Sequence, residues 1–520
     1  MFSSKKIRPF LLAALVLPAI FVLAENPLST KAVAQTIENP QMNGFTALFN
    51  GKDLTGWKGL VGDPIKRSKM DAKTLAAEQV KADSVMRDSW KVVNGELQFV
   101  GHGNNITTAK KYGDFEMMID WKIIDDGKQE GDAGIYLRGT PQVQIWDNAR
   151  VKSGAQVGSG GLYNNQVNES KPLKVADKKL DEWNTFRIIM KADRVTVYLN
   201  GELVTDNVIL ENYWDRKIPI FAEEQIELQA HGSPVAYRNI YIKELPRAKP
   251  FELSKKEQKE GFKVLFDGTN MFNWMGNTRD YITENGNMAV RPKPEKSTLG
   301  NNLFTKEEFS DFIFRFEFQL TTGANNGLGI RSPITGDVAY QGMELQILDN
   351  DAPEYKDLKV YQYHGSVYGT IPAKRGSLKP VGEWNYQEVI VQGPKIKVIL
   401  NGTVILDGDI TEARKNGAAD GQKHPGLQRD GGHIGFLGHG SELQFRNLHH
   451  QAKIEVQVQA RRELDLVRSR TVPNHTSPHQ FQKTQSIQWK LRTQVASSVF
   501  CLPARVQFQL PTRQIQHTAG

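Results

Sequence analysis

The fold is decided by the stretch Gly131-Asp132-Ala133-Gly134-Ile135-Tyr136-Leu137-Arg138-Gly139-Thr140-Pro141-Gln142-Val143-Gln144-Ile145-Trp146-Asp147-Asn148, because the chain contains its pattern twice. The second version reads Gly327-Leu328-Gly329-Ile330-Arg331-Ser332 and then Gly342-Met343-Glu344-Leu345-Gln346-Ile347-Leu348-Asp349-Asn350. Apolar and polar residues alternate with period two in both versions, as in strands that have one face in a hydrophobic core. The sequence therefore predicts two copies of one pair of adjacent strands.

The polar residues of these strands are predicted to share one sheet face, which is the candidate site. They are Arg138, Gln142 and Gln144 in the first copy and Arg331, Glu344 and Gln346 in the second. Adjacent strands thus bring an arginine next to an amide or a carboxylate. The pair of Arg331 and Glu344 has an alternative interpretation as a purely structural ion pair.

Length and composition indicate an ordinary globular protein with more than one domain. The chain has 520 residues, which is too many for a single ordinary core. Its mean hydropathy of −0.47 suits a soluble protein. Cys501 is the single cysteine, so no intramolecular disulfide can form.

The first residues resemble a secretory signal. Lys5, Lys6 and Arg8 precede an almost wholly apolar run that ends near Ala24. Cleavage is expected after Ala24 or Ala34, and a retained membrane anchor is the alternative. The protein is therefore expected to be exported to the periplasm or the outside of a bacterial cell, with no stable membrane span after cleavage.

The basic charge belongs to the end of the chain. The formal net charge is +8, but residues 452–520 hold ten Lys and Arg against three Asp and Glu. The remaining residues carry 56 basic and 55 acidic side chains, so no basic surface for nucleic acid is expected in them. The tail is predicted to be disordered, or else to bind an acidic partner.

Repeated motifs and turn signals divide the chain. Short strands follow one another, and Asn-Gly turns such as Asn200-Gly201 and Asn401-Gly402 mark hairpins in both halves. This pattern predicts an all-β protein with two jelly-roll β-sandwiches in tandem. The predicted segments are a signal and lead-in at 1–34, sandwiches at 44–246 and 261–450, a helical insertion at 60–89, a linker at 247–260 and a basic tail at 451–520.

The motifs shared by the two halves resemble those of the 3-keto-disaccharide hydrolase family, formerly a domain of unknown function. They are Leu-Phe-Asn/Asp-Gly, Gly-Ile-Tyr/Arg, Val/Leu-Gln-Ile-x-Asp, Glu-Trp-Asn, Leu-Asn-Gly and Arg-Asn-Ile/Leu, within Gly44 to Leu245 and Gly261 to Leu448. The resemblance implies a concanavalin A-like jelly roll with a concave polar face. It also implies an exported enzyme that cleaves 3-keto-glycosides, with a sugar oxidoreductase as pathway partner.

The implied chemistry gives the polar residues roles. A 3-keto group acidifies the neighbouring C2–H, so a carboxylate or an imidazole can remove that proton. The enolate that forms needs a hydrogen-bond donor or a positive charge, which Arg138, Arg331 or a divalent metal would supply. The glycosidic oxygen on C1 then leaves, and water adds to complete a net hydrolysis.

Fourteen residues are candidates for the site. The catalytic candidates are Glu344, Arg331, Asp349 and His439 in the second half and Asp147 and His231 in the first. The substrate-binding candidates are Arg138, Gln142, Gln144, Tyr163 and Arg238 in the first half and Gln346, Tyr368 and Arg446 in the second. Gln142 cannot act as a base, so the first half would need Asp147 or His231.

Each candidate also has a structural interpretation. Asp147 and Asp349 precede Asn at strand ends, which is ordinary turn chemistry. His231 and His439 occupy one repeat position but can be solvated loop residues. Tyr163 and Tyr368 can pack at a rim instead of stacking on sugar. Arg238 and Arg446, on strands that are expected to flank the candidate face, can be structural.

Other chemistries are weakly indicated or absent from the sequence. Asp125, Asp126, Glu130 and Asp132 crowd one loop, where a solvated acidic loop is the alternative to a metal site. The sequence has no zinc-ligand spacing, no phosphate-binding loop and no nucleophilic serine motif. The main alternative to an enzyme is a non-catalytic, lectin-like carbohydrate-binding protein, and a third hypothesis is an adhesive protein of the cell surface.

Overall fold

The computed structural model describes residues 43–128, 131–294 and 300–452. These residues form two β-sandwiches in tandem, each with one larger and one smaller antiparallel sheet. The predicted all-β fold with a helical insertion in its first sandwich is confirmed. The predicted signal and nearly all of the basic tail lie outside the described residues.

The first sandwich is built from short strands. They are β1 (Thr46–Ala47), β2 (Trp57–Gly59), β3 (Trp90–Val93), β4 (Glu96–Phe99), β5 (Ile106–Thr108), β6 (Phe115–Ile123), β7 (Asp132–Leu137), β8 (Thr140–Trp146), β9 (Asn184–Lys191), β10 (Arg194–Leu199), β11 (Glu202–Ile209), β12 (Glu227–Leu228) and β13 (Val235–Glu244).

The second sandwich repeats the same sequence of strands. They are β14 (Lys263–Phe266), β15 (Trp274–Gly276), β16 (Tyr281–Glu284), β17 (Asn287–Val290), β18 (Asn302–Phe309), β19 (Phe312–Leu320), β20 (Asn325–Ser332), β21 (Met343–Leu348), β22 (Trp384–Gln392), β23 (Lys395–Leu400), β24 (Thr403–Asp409), β25 (Gly432–Gly438) and β26 (Leu443–Ala452).

The two sandwiches have the same sheet topology. In the described part of the first, the larger sheet has the order β11-β10-β9-β6-β13-β4-β3 with β1 paired to β13, and the smaller has the order β2-β5-β12-β7-β8. In the second, the larger sheet has the order β16-β17-β26-β19-β22-β23-β24 with β14 paired to β26, and the smaller has the order β15-β18-β25-β20-β21. Every strand of one sandwich therefore has a counterpart in the other.

Each core lies between the two sheets of its sandwich. Strand β6 alternates buried and half-buried residues along its whole length, and β19 does the same. Their buried side chains are aromatic or aliphatic, for example Phe115 and Trp121 in β6 and Phe314 in β19. Burying one such side chain stabilises the fold by roughly 1.5–3 kcal/mol, so the alternation fixes which face of each strand points inward.

The hairpin turns follow the predicted Asn-Gly pairs. Asn94, Asn200, Asn285 and Asn401 have φ angles of 51°, 53°, 52° and 50°. Asparagine tolerates this left-handed region better than most residues, and the following glycine adopts it readily. The turns therefore set the register of four hairpins.

The helical insertion covers an edge strand of the first sandwich. It consists of α1 (Pro64–Ser68) and α2 (Ala72–Ser89), which begin after the capping residues Asp63 and Asp71. In β2, the Gly59 amide donates to the Asp83 carboxylate of α2 at 2.9 Å. A Cβ at Gly59 would lie 2.1 Å from the Ala82 carbonyl oxygen, so α2 packs directly on the strand backbone and shields the sheet edge.

The remaining helices are short. They are α3 (Lys255–Glu260) in the predicted linker, α4 (Val338–Gln341) and α5 (Thr411–Asn416), with 3₁₀ turns at Val151–Ser153, Ala155–Val157, Pro353–Tyr355, Val360–Gln362 and Pro425–Gln428. No helix in the described ranges is long and apolar enough to cross a membrane.

A buried charged pair joins the two sandwiches. Asp193 and Arg194 lie at the turn between β9 and β10, and both side chains are almost fully buried. Asp193 accepts a hydrogen bond from the Met271 amide at 2.8 Å. Arg194 donates to the carbonyl oxygens of Thr278 at 2.8 Å and Tyr281 at 3.1 Å. Both residues of the first sandwich therefore bind backbone groups of the second.

Candidate functional site

A carboxylate and an imidazole meet on the smaller sheet of the second sandwich. Glu344 lies in β21, and His439 follows the end of β25. His439 Nε2 lies 3.4 Å from Glu344 Oε1. The Glu344 side chain is 3% exposed whereas that of His439 is 45% exposed, so the histidine is the member of this pair that a ligand can reach.

Electrostatics couples the two groups. The hydrogen bond to Glu344 raises the pKa of His439 above its ordinary value, and partial burial opposes this rise. The nearby carboxylate stabilises the protonated imidazole, as expected for an opposite charge within a few ångströms. The arrangement can therefore orient a neutral imidazole and stabilise it after it has taken up a proton.

A glycine in the neighbouring strand makes room for the carboxylate. Gly327 in β20 pairs with Gln346 of β21, which is two residues from Glu344 and therefore on the same sheet face. A Cβ at Gly327 would lie only 1.9 Å from Glu344 Oε1. The glycine of the repeated motif is therefore required for the position of the acidic side chain.

Aromatic side chains border this pair. Tyr340 of α4 packs against Tyr368 with ring centroids 6.4 Å apart, and against His424 at 4.6 Å. Burial, together with the charges of neighbours that include Glu344, raises the pKa of Tyr340. Gln362 Nε2 donates to the Tyr368 hydroxyl at 2.9 Å. Flat apolar surfaces beside polar groups are suited to a sugar ring.

The first sandwich has a different carboxylate next to its histidine. Asp132, at the start of β7, lies 3.6 Å from His231 Nδ1. It accepts hydrogen bonds from Gln144 at 2.8 Å and Arg150 at 2.9 Å. Gln142 donates in turn to Gln144. The repeat position of His231 and His439 is thus next to an acid in both sandwiches, although the acid comes from a different strand.

Strand register shows how the two faces differ. In the first sandwich, Glu227 pairs with Thr107 on one side and with Tyr136 on the other. At the equivalent position of the second sandwich, Gly435 pairs with Phe304 and Gly329. By the same registers Lys58 corresponds to Met275 and Gln229 to Leu437. Phe304, Leu437 and Val338 form a small apolar cluster with Met275 against it. The centre of the face is therefore polar in the first sandwich and apolar in the second.

The predicted placement of Arg138 and Arg331 on the polar face is wrong. Both have a φ of 49°, and both side chains are about 1% exposed. Arg138 donates to the Gly113 carbonyl at 2.8 Å and pairs with Asp114. The left-handed backbone at the strand end turns each guanidinium away from the neighbouring strand, which alternation alone does not reveal.

The expected pair of Arg331 and Glu344 is not formed. Arg331 donates to the carbonyl oxygens of Gly393 at 2.8 Å and Arg429 at 3.2 Å, and it pairs with Asp311 at 3.3 Å. Its donors are committed to these groups, so it cannot reach a substrate next to Glu344 without breaking them.

Asp147 and Asp349 face away from the other polar residues of their strands. Asp147 Oδ1 accepts from the Ala149 amide at 3.0 Å, and Asp349 Oδ2 accepts from the Gly323 amide at 3.0 Å. Alternation puts each on the face opposite to Gln144 or Gln346. The bond to Asp147 is that of a turn at the strand end, the alternative that the sequence left open, whereas Asp349 holds the loop that precedes β20.

Arg238 and Arg446 belong to the larger sheets, so the prediction that they flank the candidate face is wrong. Arg238 lies over the Trp183 ring at 4.1 Å and pairs with Asp120. Arg446 lies over the Trp384 ring at 3.9 Å and donates to Glu317. The sequence showed that the two arginines occupy equivalent repeat positions. It did not show that their strands, β13 and β26, pair with β6 and β19 of the larger sheets.

The remaining predicted residues lie at or near the candidate faces. Gln346 donates to Asn325 at 3.0 Å, which matches the bond from Gln144 to Asp132. Tyr163 is exposed and packs edge-on against Trp146 at 5.3 Å. The residue before each tyrosine is anchored in the same way, because Leu162 bridges to Val143 of β8 and Val367 bridges to Leu345 of β21.

The proposed metal ligands do not form a cluster. Asp126 pairs with Lys128 at 2.9 Å, Asp132 pairs with Arg150, and Glu130 lies outside the described residues. Among the described residues, no three His, Cys, Asp or Glu side chains are arranged to hold a metal ion.

Sequence reasoning missed three polar residues of the faces. Glu227 is fully buried in the two-residue strand β12, and Tyr136 pairs with it across the ladder. Tyr340 lies in the four-residue helix α4. Glu227 and Tyr136 could have been found by aligning the two repeats, because Gly435 and Gly329 replace them; Tyr340 has no such signal.

Fold and faces together define a tandem jelly-roll protein with one polar, partly aromatic sheet face in each sandwich. A family model described as 3-keto-alpha-glucoside-1,2-lyase-like domain matches residues 44–243 and 261–450. The chain belongs to this family, and both of its sandwiches are copies of the family domain.

Individual relatives are more distant. The chain is 24% identical over 245 residues to the 3-keto-disaccharide hydrolase of Bacteroides thetaiotaomicron, a match that covers 40% of this chain and 84% of the relative. Two crystal structures of proteins from Parabacteroides distasonis, assigned as glycosyl hydrolases, are 25% and 21% identical. They cover 37% and 40% of this chain and 99% and 100% of their own, with TM-scores of 0.33 and 0.35. The strand order described above, and not these structural matches, establishes the architecture.

Proposed function

We propose that the protein is an enzyme that cleaves 3-keto-glycosides and that the second sandwich carries the chemistry. The observation that supports this most strongly is the pair of Glu344 and His439 on the smaller sheet, with a buried carboxylate behind a half-exposed imidazole. Membership of the family and the similarity to the 3-keto-disaccharide hydrolase of Bacteroides thetaiotaomicron support the substrate class.

His439 is the proposed base, and Glu344 is its positioning residue. The Nε2 atom of His439 faces Glu344, which leaves Nδ1 as the nitrogen available to a substrate. In this tautomer the imidazole takes the proton from C2 of the keto sugar, and the adjacent carboxylate stabilises the imidazolium. The sequence left open whether a carboxylate or an imidazole removes the proton, and this proposal assigns the step to the imidazole.

The electrons of the C2–H bond form the enolate on the C3 oxygen. The hydroxyl groups of Tyr340 and Tyr368 are the proposed donors to that oxygen, since both tyrosines border the acidic pair. The C1–O bond then breaks to give an enone, and the leaving oxygen takes the proton from His439. Water adds to the double bond, with its hydroxyl on C1 and its proton on C2, which completes a net hydrolysis.

Export and a pathway partner are part of the same proposal. The basic residues and apolar run of Met1 to Ala24 support secretion in a bacterium. A 3-keto sugar arises by oxidation of a secondary hydroxyl group, so a sugar oxidoreductase must act before this enzyme.

The test is to incubate the purified full-length protein with a 3-keto-disaccharide and to measure the released monosaccharide. We expect Glu344→Gln to slow turnover by about 10²-fold or more, the usual scale for impairing a general base. Glutamine is already present at the matching place, Gln142, in the first sandwich, so the fold should tolerate it.

Glu317→Gln is the matched control. It removes a carboxylate from the larger sheet of the same sandwich, where Glu317 pairs with Arg446, and it should leave turnover unchanged. Normal turnover in Glu344→Gln would contradict the placement of the chemistry. No monosaccharide release by the unmodified protein, with saccharide binding intact, would instead favour the non-catalytic carbohydrate-binding alternative.

A further inference from the structure

The first sandwich buries an acid that the fold does not need. Glu227 is 0% exposed, its Oε2 accepts one hydrogen bond from Asn105 at 3.2 Å, and its Oε1 has no hydrogen-bond partner. Among the described residues no ion pair involves Glu227. A buried polar atom without a partner typically costs about 1–3 kcal/mol. Some other requirement must therefore keep the acid in this strand.

A second unpaired acceptor lies on the same face. Gln229 is two residues further along the chain, and its Oε1 also has no partner although the side chain is buried. Gly134 of the adjacent strand lets this side chain approach, because a Cβ there would lie 3.0 Å from Gln229 Oε1. Among the described residues, these two buried acceptors, two positions apart in the chain, therefore have no donor.

The second sandwich shows that these polar residues are not structural requirements. It has Gly435 at the position of Glu227 and Leu437 at that of Gln229, and it closes the face with Phe304. The same strand order forms around both sets of side chains. The polar set of the first sandwich is thus retained for something other than folding.

Partly exposed groups lie around these acceptors. Tyr136 is half-buried opposite Glu227, and burial together with the Glu227 carboxyl raises the pKa of its hydroxyl. Tyr213 is 44% exposed and packs at 85° on Trp214, whose Nε1 donates to the Gly139 carbonyl at 2.7 Å. An exposed ring is thus held on the loop that contacts the turn between β7 and β8.

We propose that the smaller sheet of the first sandwich is a second saccharide site, which binds an uncharged sugar through Tyr136, Gln229 and Tyr213. Sugar hydroxyl groups supply the donors that the buried acceptors lack, and a ring face fits an exposed tyrosine. Glu227 is a positioning residue beneath Tyr136. Glu224 pairs with both Arg67 and Lys111, whereas half-buried Lys58 lies on the same face in register with Thr107 and Glu227 and can also donate to a sugar hydroxyl group.

This inference does not rest on the cleavage reaction. The test therefore uses unoxidised maltose and cellobiose, which lack the 3-keto group, and measures their binding to the full-length protein by calorimetry and by ligand-observed NMR. Gln229→Leu introduces the residue that the second sandwich already has, so the fold should tolerate it. We expect it to weaken binding at this site by about tenfold, the scale for one lost hydrogen bond.

Glu344→Gln is the matched variant of the other sandwich, and it should leave this binding unchanged. Tyr136→Phe keeps the ring and removes only the hydroxyl, so it should also weaken binding. Glu227→Gln keeps the shape of the side chain but cannot ionise. The affinity of this variant for the sugar should therefore stay constant from pH 6 to 9, whereas that of the natural protein should weaken at the upper end of this range.

The inference is wrong if neither sugar binds, or if Gln229→Leu and Tyr136→Phe bind as the natural protein does. Loss of this binding in Glu344→Gln would also overturn it, because the sugar would then occupy the second sandwich. Failure of the proposed function has a different signature, namely normal cleavage of a 3-keto-disaccharide by Glu344→Gln.

Discussion

Glu227 and Glu344 are buried carboxyl groups in sheets of the same topology, yet their surroundings differ. Glu344 lies next to an imidazole, whereas Glu227 has one amide donor. Burial raises the pKa of Glu227 to about 8. The groups facing it are Tyr136 of β7, Lys58 of β2, and Asp63, Arg67 and Glu224 around α1, and they do not reverse this effect. Glu227 is therefore uncharged in the folded protein at neutral pH.

This pKa leads to a prediction about stability. Unfolding returns Glu227 to an ordinary pKa near 4.5, so the folded state holds an extra proton between that pH and about 8. The contribution of Glu227 to the free energy of unfolding is fully present below pH 4.5 and is lost as the pH rises toward 8. Glu227→Gln should remove this loss. The free energy of unfolding of the variant, relative to that of the natural protein, should therefore rise by up to about 1.4 kcal/mol per pH unit.

Urea unfolding at a series of pH values measures this difference. Glu308→Gln is a suitable control, because Glu308 has an exposed side chain near His433 and should not change the slope in this range to a similar extent. A constant difference between Glu227→Gln and the natural protein from pH 5 to 8 would mean that Glu227 ionises normally in the fold.

At the scale of residues, comparison of the two repeats identified site residues better than the alternation pattern of a single strand. Glu344 and His439 were predicted because the duplication marks their positions, and the structure brings them together. Arg331 was placed wrongly because a positive φ at one residue cancels the alternation on which the prediction depended. Glu227 was missed because a two-residue strand has no measurable period.

At the scale of elements, a strand glycine determines where a neighbouring acid can lie. Gly327 does not have a positive φ, so an alanine there meets no backbone strain, but its methyl group would overlap Glu344 Oε1. Gly134 is the corresponding residue in the first sandwich, where the methyl group would instead lie 2.8 Å from Gln142 Cδ. The two glycines allow the same substitution to be made at either face.

We expect Gly327→Ala to lower kcat by about 10²-fold with the fold retained, because displacement of a catalytic group by about 1 Å costs this much. Circular dichroism checks the fold, and monosaccharide release from a 3-keto-disaccharide gives kcat. Gly134→Ala is the matched control and should leave kcat unchanged. An equal loss in both variants would indicate that the first sandwich also takes part in cleavage.

Strands and hairpins could be predicted well at this scale, since period-two alternation and Asn-Gly pairs are local signals. The assignment of strands to sheets could not. Arg238 in β13 and Arg446 in β26 were expected at the candidate face, but their strands pair within the larger sheets. Partner choice depends on contacts between residues far apart in the chain, such as the 118 positions that separate Arg238 from Asp120.

At the scale of the whole molecule, the contact between sandwiches depends on Asp193 and Arg194. The sequence predicted two sandwiches but not this pair, because its partners Thr278 and Tyr281 are backbone carbonyl groups and leave no side-chain signature. Burial raises the pKa of Asp193 and lowers that of Arg194, and each charge opposes the shift of the other. Removing one partner leaves an uncompensated buried group.

Arg194→Met should therefore lower the free energy of unfolding by about 3–5 kcal/mol. Lys293→Met is the matched control. It removes a second contact between the sandwiches, the partly exposed pair of Lys293 and Asp206 at 2.6 Å, and should cost less than about 1 kcal/mol. The midpoint of urea unfolding measures both. Equal effects would mean that the buried pair contributes no more than a surface contact.

The attachment through Asp193 and Arg194 also has a consequence for ligands with more than one binding group. Because residues of one sandwich bind backbone groups of the other, the two sheet faces are held at a fixed separation. A linear oligosaccharide would gain avidity from two faces most when its length matches that separation, and chains too short to span it would gain none. The contact through Asp193 and Arg194 would thus determine which oligosaccharide lengths bind both faces. Loosening this contact would broaden the range of lengths that bind at both ends.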